Sequence, residues 1–286
     1  MMKRVAILGT GLLGTSVGLA LRAARFEGSI VGWNRSRSQA ETALSMGAID
    51  SIGTGALSVA KESQVVVLAV PIFATLDLLE QLAPVLGPGQ LVTDVGSTKA
   101  QITEAAGRLF NTPERAAFLP GHPMAGKERG GADLGDANLF RGAVWLFTDN
   151  TQWVRSSQSA ALARSWREWV VRMGARTLDL GPQRHDELVA WVSHLPQFTA
   201  TALSALLENE VGGAPELKDV GGRALREMTR LGASPFSMWR DIAYSNTDAI
   251  AAAIQALEQS LAYIRENLRT PGLRDEFEKA NRFRRE

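Results

Sequence analysis

The sequence predicts an α/β chain in which a doubly wound parallel sheet is followed by an all-α C-terminal domain. Short β-rich runs alternate with helical patterns over the first 180 residues, the order that a parallel sheet with crossover helices requires. Strand signals stop near His185, and only long helical patterns follow. Gly181-Pro182 stands at the change, which gives expected domains of residues 1–182 and 183–286.

Val5–Leu8 is the first predicted strand, and Leu12–Arg25 carries apolar residues at helical spacing. Ser29–Trp33 is the second strand. Val65–Val70 is an unbroken apolar run, as expected of a central strand covered on both faces. Leu91–Val95, Ala117–Leu119 and Val144–Phe147 supply further strands, and Ala175–Leu180 an edge strand after a helix around Trp166 and Trp169. Helices are then expected over Asp186–Glu208, Leu217–Thr229 and Phe236–Asn267. The last has Ile250, Ile254, Leu257, Leu261 and Ile264 on one apolar stripe. Long apolar stripes with no sheet to lie on predict pairing with a second copy, a homodimer through the C-terminal helices.

With 45% hydrophobic and 21% charged residues, the 286-residue chain has ordinary globular composition. Its 31 basic and 30 acidic residues nearly cancel, which argues against nucleic acid or an anionic membrane as partner. There is no cysteine, so disulfides, thiolate metal sites and a thiol nucleophile are excluded. Val5–Leu8 meets glycine at once and reads as a buried strand, not a signal segment. No stretch approaches ~20 uninterrupted apolar residues, the length of a membrane span. A cytoplasmic enzyme is the expectation. No metal site is expected, because His185-Asp186 lacks further ligands at suitable spacing.

Gly9-x-Gly11-x-x-Gly14 lies between the first strand and the first helix, the setting of a Rossmann-type dinucleotide fingerprint. Gly9 permits the tight turn, Gly11 lets backbone approach a pyrophosphate, and Gly14 lets helix pack on strand. Leu12 and Leu13 within the run, and Val70-Pro71 after the central strand, complete the expected cofactor contacts there. An acidic residue about twenty positions past the last glycine would bind the ribose of NAD+. The second strand instead runs into Asn34-Arg35-Ser36. Asn34 does not repel a 2′-phosphate, while Arg35 and Ser36 offer it a charge and a donor. The cofactor is therefore NAD(P)+, with NADP+ favoured over NAD+.

Loops after the later strands should face the nicotinamide, since ligands collect at the carboxyl ends of the strands. Asp94-Val95-Gly96-Ser97-Thr98-Lys99 brings the hydroxyl of Ser97 there, and Gly121-His122-Pro123 brings an imidazole. Oxidising an alcohol needs a base whose pKa is near the working pH, and imidazole suits that. Arg226 and Arg230 are four apart on a predicted helix, hence on one face, where guanidinium groups can grip a carboxylate.

Gly121-His122-Pro123-Met124-Ala125-Gly126-x-Glu128 resembles the signature loop of the prephenate and arogenate dehydrogenases of tyrosine biosynthesis. His185-Asp186 followed by Ser193-His194-Leu195-Pro196 is similar too. So is Gly221-Gly222-x-x-x-Arg226-x-x-Thr229-Arg230 leading to Ser234 and Met238–Ile242. The matches run from Gly9 to Ile242, nearly the whole chain. The resemblance implies oxidative decarboxylation: a cyclohexadienyl alcohol gives its C4 hydride to nicotinamide while the ring carboxylate leaves as CO2. It implies that His122 polarises or deprotonates the 4-hydroxyl and that Ser97 holds the same hydroxyl. Arg230 would be the main carboxylate anchor, Arg226 a second basic contact, and Glu128 an ionic gate. His194, before Leu195-Pro196 inside a helical apolar pattern, stands either at the substrate or packed between domains. Gln197 stands where some members carry histidine near the substrate side chain, which leaves prephenate and arogenate both open. The imidazole of His122 and the guanidinium of Arg230 are expected to converge beside the nicotinamide. A β-hydroxyacid or imine reductase is the rival enzyme reading; it would place a lysine on the first interdomain helix, which here offers His194. A silent cofactor-sensing protein is the rival outside enzymes.

Overall fold

Runs of β-branched residues build the main sheet. The computed structural model describes residues 2–149 and 153–285. Its strands β1 (Arg4–Leu8), β2 (Ser29–Trp33), β3 (Ser51–Ile52), β4 (Val65–Leu68), β5 (Leu91–Asp94) and β6 (Ala117–Leu119) form one parallel sheet. The order is β3-β2-β1-β4-β5-β6. Ala6 of β1 faces Val31 of β2 on one side and Val66 of β4 on the other. All four residues of β4 are buried, as the continuous apolar run predicts for a strand covered on both faces. The crossovers are α1 (Leu12–Ala23), α2 (Arg37–Ser45), α3 (Ala56–Lys61), α4 (Ile72–Leu82) and α5 (Ala100–Phe110). Strand order reverses between β1 and β4, and open α/β sheets bind ligands in the crevice at such a point.

A second sheet was not legible as such. β7 (Gly121–Pro123), β8 (Val144–Phe147) and β9 (Arg176–Asp179) form it in the order β7-β8-β9, with β7 antiparallel to β8 and β8 parallel to β9. The segment expected to be a loop around His122 is thus a strand, His122 lying opposite Leu146. Three residues that include glycine and proline carry no strand pattern of their own, so the pairing is imposed by β8. Helix α6 (Ser157–Arg172) starts at Ser156, whose hydroxyl accepts the backbone N–H of Ser159 at 3.1 Å. It buries Leu162, Ala163, Trp166 and Val170 at helical spacing. Trp145 of β8 is fully buried against Phe140, Phe147 and Trp166, with ring centroids 5.1–6.4 Å apart. Aromatic pairs at such separations contribute roughly 0.5–1.5 kcal/mol each beyond their burial.

The rest is helical: α7 (Pro182–Val189), a π turn over Ala190–His194, α8 (Leu195–Val211), α9 (Leu217–Val220) and α10 (Gly222–Thr229). Then come α11 (Phe236–Ser245), α12 (Thr247–Glu266) and α13 (Pro271–Arg285). The expected single helix over Asp186–Glu208 passes through that π turn just before Pro196, whose ring nitrogen has no proton to donate to a regular turn. The expected helix over Leu217–Thr229 breaks at Gly221, and the next residue, Gly222, sits at φ +56. The expected helix over Phe236–Asn267 breaks at Asn246. α13 lies beyond the helices that the sequence predicts. Among the described residues no helix is long and apolar enough to cross a membrane.

The chain groups into two compact units, and neither is one continuous stretch. The first comprises Met1–Leu188 with Ala233–Ser245; the second comprises Val189–Gly232 with Asn246–Glu286. Within the first, α11 returns to α4: Tyr244 meets Phe73 at 6.4 Å between ring centroids. Ser245 and Thr98 hydroxyls are hydrogen-bonded at 2.8 Å. Within the second, α8 contacts α10 and α12, and α12 contacts α13.

Candidate active site

The glycine run shapes a cradle at the end of β1. Gly9 has φ +99, and a Cβ there would lie 2.3 Å from the carbonyl oxygen of Ala69. A Cβ at Gly14 would lie 1.9 Å from the carbonyl oxygen of Gly9. Gly11 caps α1, and nothing lies within 4 Å of where its Cβ would be. Open space therefore faces the partly positive start of a 12-residue helix, which fits the pyrophosphate of a dinucleotide. Leu12 is buried, Leu13 and Val70 are half-buried, and Pro71 caps α4. At the end of β2 the Asn34 side chain shapes its own turn. It accepts the backbone N–H of Ser36 at 3.0 Å and donates to the Thr10 hydroxyl at 3.2 Å. Arg35 and Ser36 are exposed, and the Ser36 hydroxyl is hydrogen-bonded to that of Ser38 at 2.9 Å.

Two carboxylates organise the chemistry end. Asp94, the last residue of β5, is fully buried. One of its oxygens accepts the backbone N–H of Gly96 at 2.8 Å, and the other accepts that of Gly121 at 3.1 Å. A single side chain thus holds the residues that immediately precede Ser97 and His122. Gly121 has no room for a side chain: its Cβ would lie 2.8 Å from the Trp145 indole nitrogen and 2.9 Å from the Asp94 carbonyl oxygen. The ammonium of Lys99, also fully buried, pairs with Asp94. Burial pulls the Lys99 pKa below its ordinary value, and the adjoining Asp94 charge works against that pull.

Asp186 of α7 is the second organiser. It accepts the backbone N–H groups of Lys99 at 2.7 Å and Ala100 at 2.8 Å, capping α5 from a distant segment. It also bonds Nδ1 of His185 at 2.7 Å, and Nε2 of His185 lies 2.9 Å from Nδ1 of His122. His185 is fully buried, whereas His122 keeps 8% of its surface open and Ser97 is partly exposed. The first unit therefore gathers Ser97 and His122 on one scaffold. Glu128, beyond β7, is half-buried.

The remaining expected substrate residues belong to the second unit. Buried Gln197 donates its amide N–H to the carbonyl of Leu231 at 2.7 Å and to the Thr201 hydroxyl at 3.2 Å. It thereby ties α8 to the residue next to Arg230. Buried His194 ends the π turn, with Nδ1 at 3.4 Å from the Asn246 amide nitrogen. Arg226 and Arg230 are exposed and remain in helical backbone, Arg230 at the end of α10. Arg223 pairs with Glu227 at 2.6 Å, the solvated i,i+4 bridge that the spacing suggests.

The arrangement matches a known group of proteins. Residues 17–174, more than half of the chain, match the family model described as prephenate dehydrogenase, nucleotide-binding domain; residues 181–282 match prephenate dehydrogenase, dimerization domain. The chain belongs to the prephenate dehydrogenase family. It is 32% identical to the prephenate dehydrogenase of Lactococcus lactis over 91% of this chain and 70% of that protein. It is similar to the crystal structure of the Aquifex aeolicus prephenate dehydrogenase in complex with hydroxyphenyl propionate and NAD+. That likeness has a TM-score of 0.84 and 26% identity, covering 100% of this chain and 98% of the other. It is also similar to Synechocystis arogenate dehydrogenase, with a TM-score of 0.77 and 28% identity over 98% of each chain.

Against this prephenate dehydrogenase scaffold, sequence reasoning missed Asp94 and Asp186 as organisers. The only signal was that each carboxylate stands within three residues of a candidate: Asp94 before Ser97, and Asp186 beside His185.

Proposed function

We propose that this chain converts prephenate to 4-hydroxyphenylpyruvate by oxidative decarboxylation, a step of tyrosine biosynthesis, with a nicotinamide dinucleotide as hydride acceptor. Family membership supports the reaction. The observation that carries it on this chain is the scaffolding of His122 and Ser97 by one carboxylate, Asp94, at the end of a dinucleotide-binding sheet.

The bound nicotinamide supplies the acceptor for the C4 hydride. Gly9, Gly11 and Gly14 hold the pyrophosphate, with Leu12, Leu13, Val70 and Pro71 beside it. Arg35 and Ser36, both exposed at the end of β2, favour a 2′-phosphate and hence NADP+ over NAD+. His122 takes the proton of the 4-hydroxyl as hydride leaves C4, and Ser97 keeps that hydroxyl in register. The electron pair of the bond to the ring carboxylate enters the ring as CO2 departs, and the proton returns to the phenolic oxygen. Aromatisation drives the reaction, so orientation and one well-placed base suffice. Arg230 anchors a substrate carboxylate, with Arg226 as second cation, and Glu128 gates the site. Gln197 and His194 support the substrate end of the second unit.

Apolar side chains exposed in the second unit support a homodimer through its helices; among them are Val220, Leu261, Phe277 and Phe283. The residues 1–182 are read as the nucleotide domain and 183–286 as the substrate and dimer domain, with α11 contributing to the former. Absorbance at 340 nm, followed with prephenate and with arogenate and with each of NAD+ and NADP+, tests the activity. Reduction with prephenate is expected. No reduction with prephenate under either cofactor overturns the reading, and turnover with arogenate alone replaces the substrate.

A further inference from the structure

We propose that His185 and Asp186 are positioning residues for the reaction, fixing which nitrogen of His122 is the base and tying that imidazole to the segment that bears Ser97. The inference rests on the reading of His122 as the base.

For a neutral His185 the bonds select the tautomers. An ionised carboxylate only accepts hydrogen bonds, so the 2.7 Å contact requires a proton on Nδ1 of His185. Neutral His185 then has an acceptor at Nε2. The 2.9 Å contact with Nδ1 of His122 is satisfied only when His122 carries its proton there. Nε2 of His122 is left as the basic nitrogen. A proton taken at Nε2 makes His122 an imidazolium, and the Nδ1–H···Nε2 bond spreads that charge towards His185 and the Asp186 carboxylate.

Asp186 is held against rotation. Both its oxygens accept backbone N–H groups at the start of α5, from Lys99 and Ala100. These donors lie two and three residues after Ser97, so one carboxylate couples the register of the Ser97 segment to the orientation of His122. Burial keeps water from competing, since His185 is fully enclosed and Asp186 nearly so. Lys99 pairs with Asp94 and also interacts with the Asp186 charge. A purely structural role would need only the cap on α5. It would not need an imidazole between that carboxylate and His122.

The chain has three histidines, so 15N-histidine labelling gives a spectrum in which each ring can be assigned. The expected result for the wild-type protein at neutral pH is His122 as the Nδ1–H tautomer with Nε2 unprotonated. His185→Leu should abolish that preference and lower kcat by roughly tenfold or more, with KM for prephenate changed less than about threefold. It should also move the acidic limb of the kcat/KM pH profile, where the base gains its proton, to lower pH. His185→Gln keeps an acceptor for Nδ1–H and should recover most of the turnover. A wild-type His122 protonated at Nε2 overturns the proposal, as does a His185→Leu protein with unchanged kcat and pH profile. If prephenate is not oxidised at all, the reading of the reaction fails, while the tautomer spectrum still decides this inference.

Discussion

The Asp94 carboxylate accepts the backbone N–H of Gly121 at 3.1 Å across 27 residues of chain. This bond joins the end of the parallel sheet to the strand that carries His122. It also explains why a glycine must precede the histidine, since a methyl group there would collide with Trp145 and with Asp94 itself.

His122→Asn should lower turnover on the order of 10²-fold or more, because asparagine can hold a hydroxyl but cannot take its proton. Steady-state rates with prephenate, beside cofactor affinity by fluorescence, check this. Affinity for the dinucleotide should stay near that of wild type.

Arg230→Ala should raise KM for prephenate by roughly 2 kcal/mol, about thirtyfold, the worth of a charge-assisted pair to a carboxylate. Arg223→Ala serves as the control. Its guanidinium bridges Glu227 on the surface, and KM should not move.

Arg35→Ala should cut kcat/KM for NADP+ by about tenfold and leave that for NAD+ nearly unchanged, an exposed charge contact being worth about 1.4 kcal/mol. Parallel titrations of the two cofactors give the ratio.

Lys99→Met should destabilise the fold by about 3–5 kcal/mol, since it strands the buried Asp94 charge. Because burial lowers the Lys99 pKa, the folded state releases its proton before the unfolded chain does. The Lys99 contribution therefore improves as pH rises from the lowered value towards the ordinary 10.5. Denaturant midpoints across that window should show the gap between wild type and Lys99→Met widening with pH.

What the sequence disclosed followed from local pattern. The apolar run at Val65–Leu68, the glycines from Gly9 to Gly14 and the striped helix from Thr247 to Glu266 each state their structure within a few residues. What stayed hidden is long-range. No periodicity says that His185 reaches back 63 residues to His122, or that Asp186 caps a helix 86 residues away. The break at Asn246 was masked because α11 and α12 share compatible helical propensity. The strand at Gly121–Pro123 exists only because β8 offers it a partner.

Because α11 is stitched into the first unit after the chain has already built much of the second, no single cut yields an intact nucleotide-binding half. A fragment ending at Leu188 would lack the helix that packs Tyr244 on Phe73 and Ser245 on Thr98, next door to Ser97. Anyone dissecting the enzyme would have to graft that helix back or circularly permute the chain.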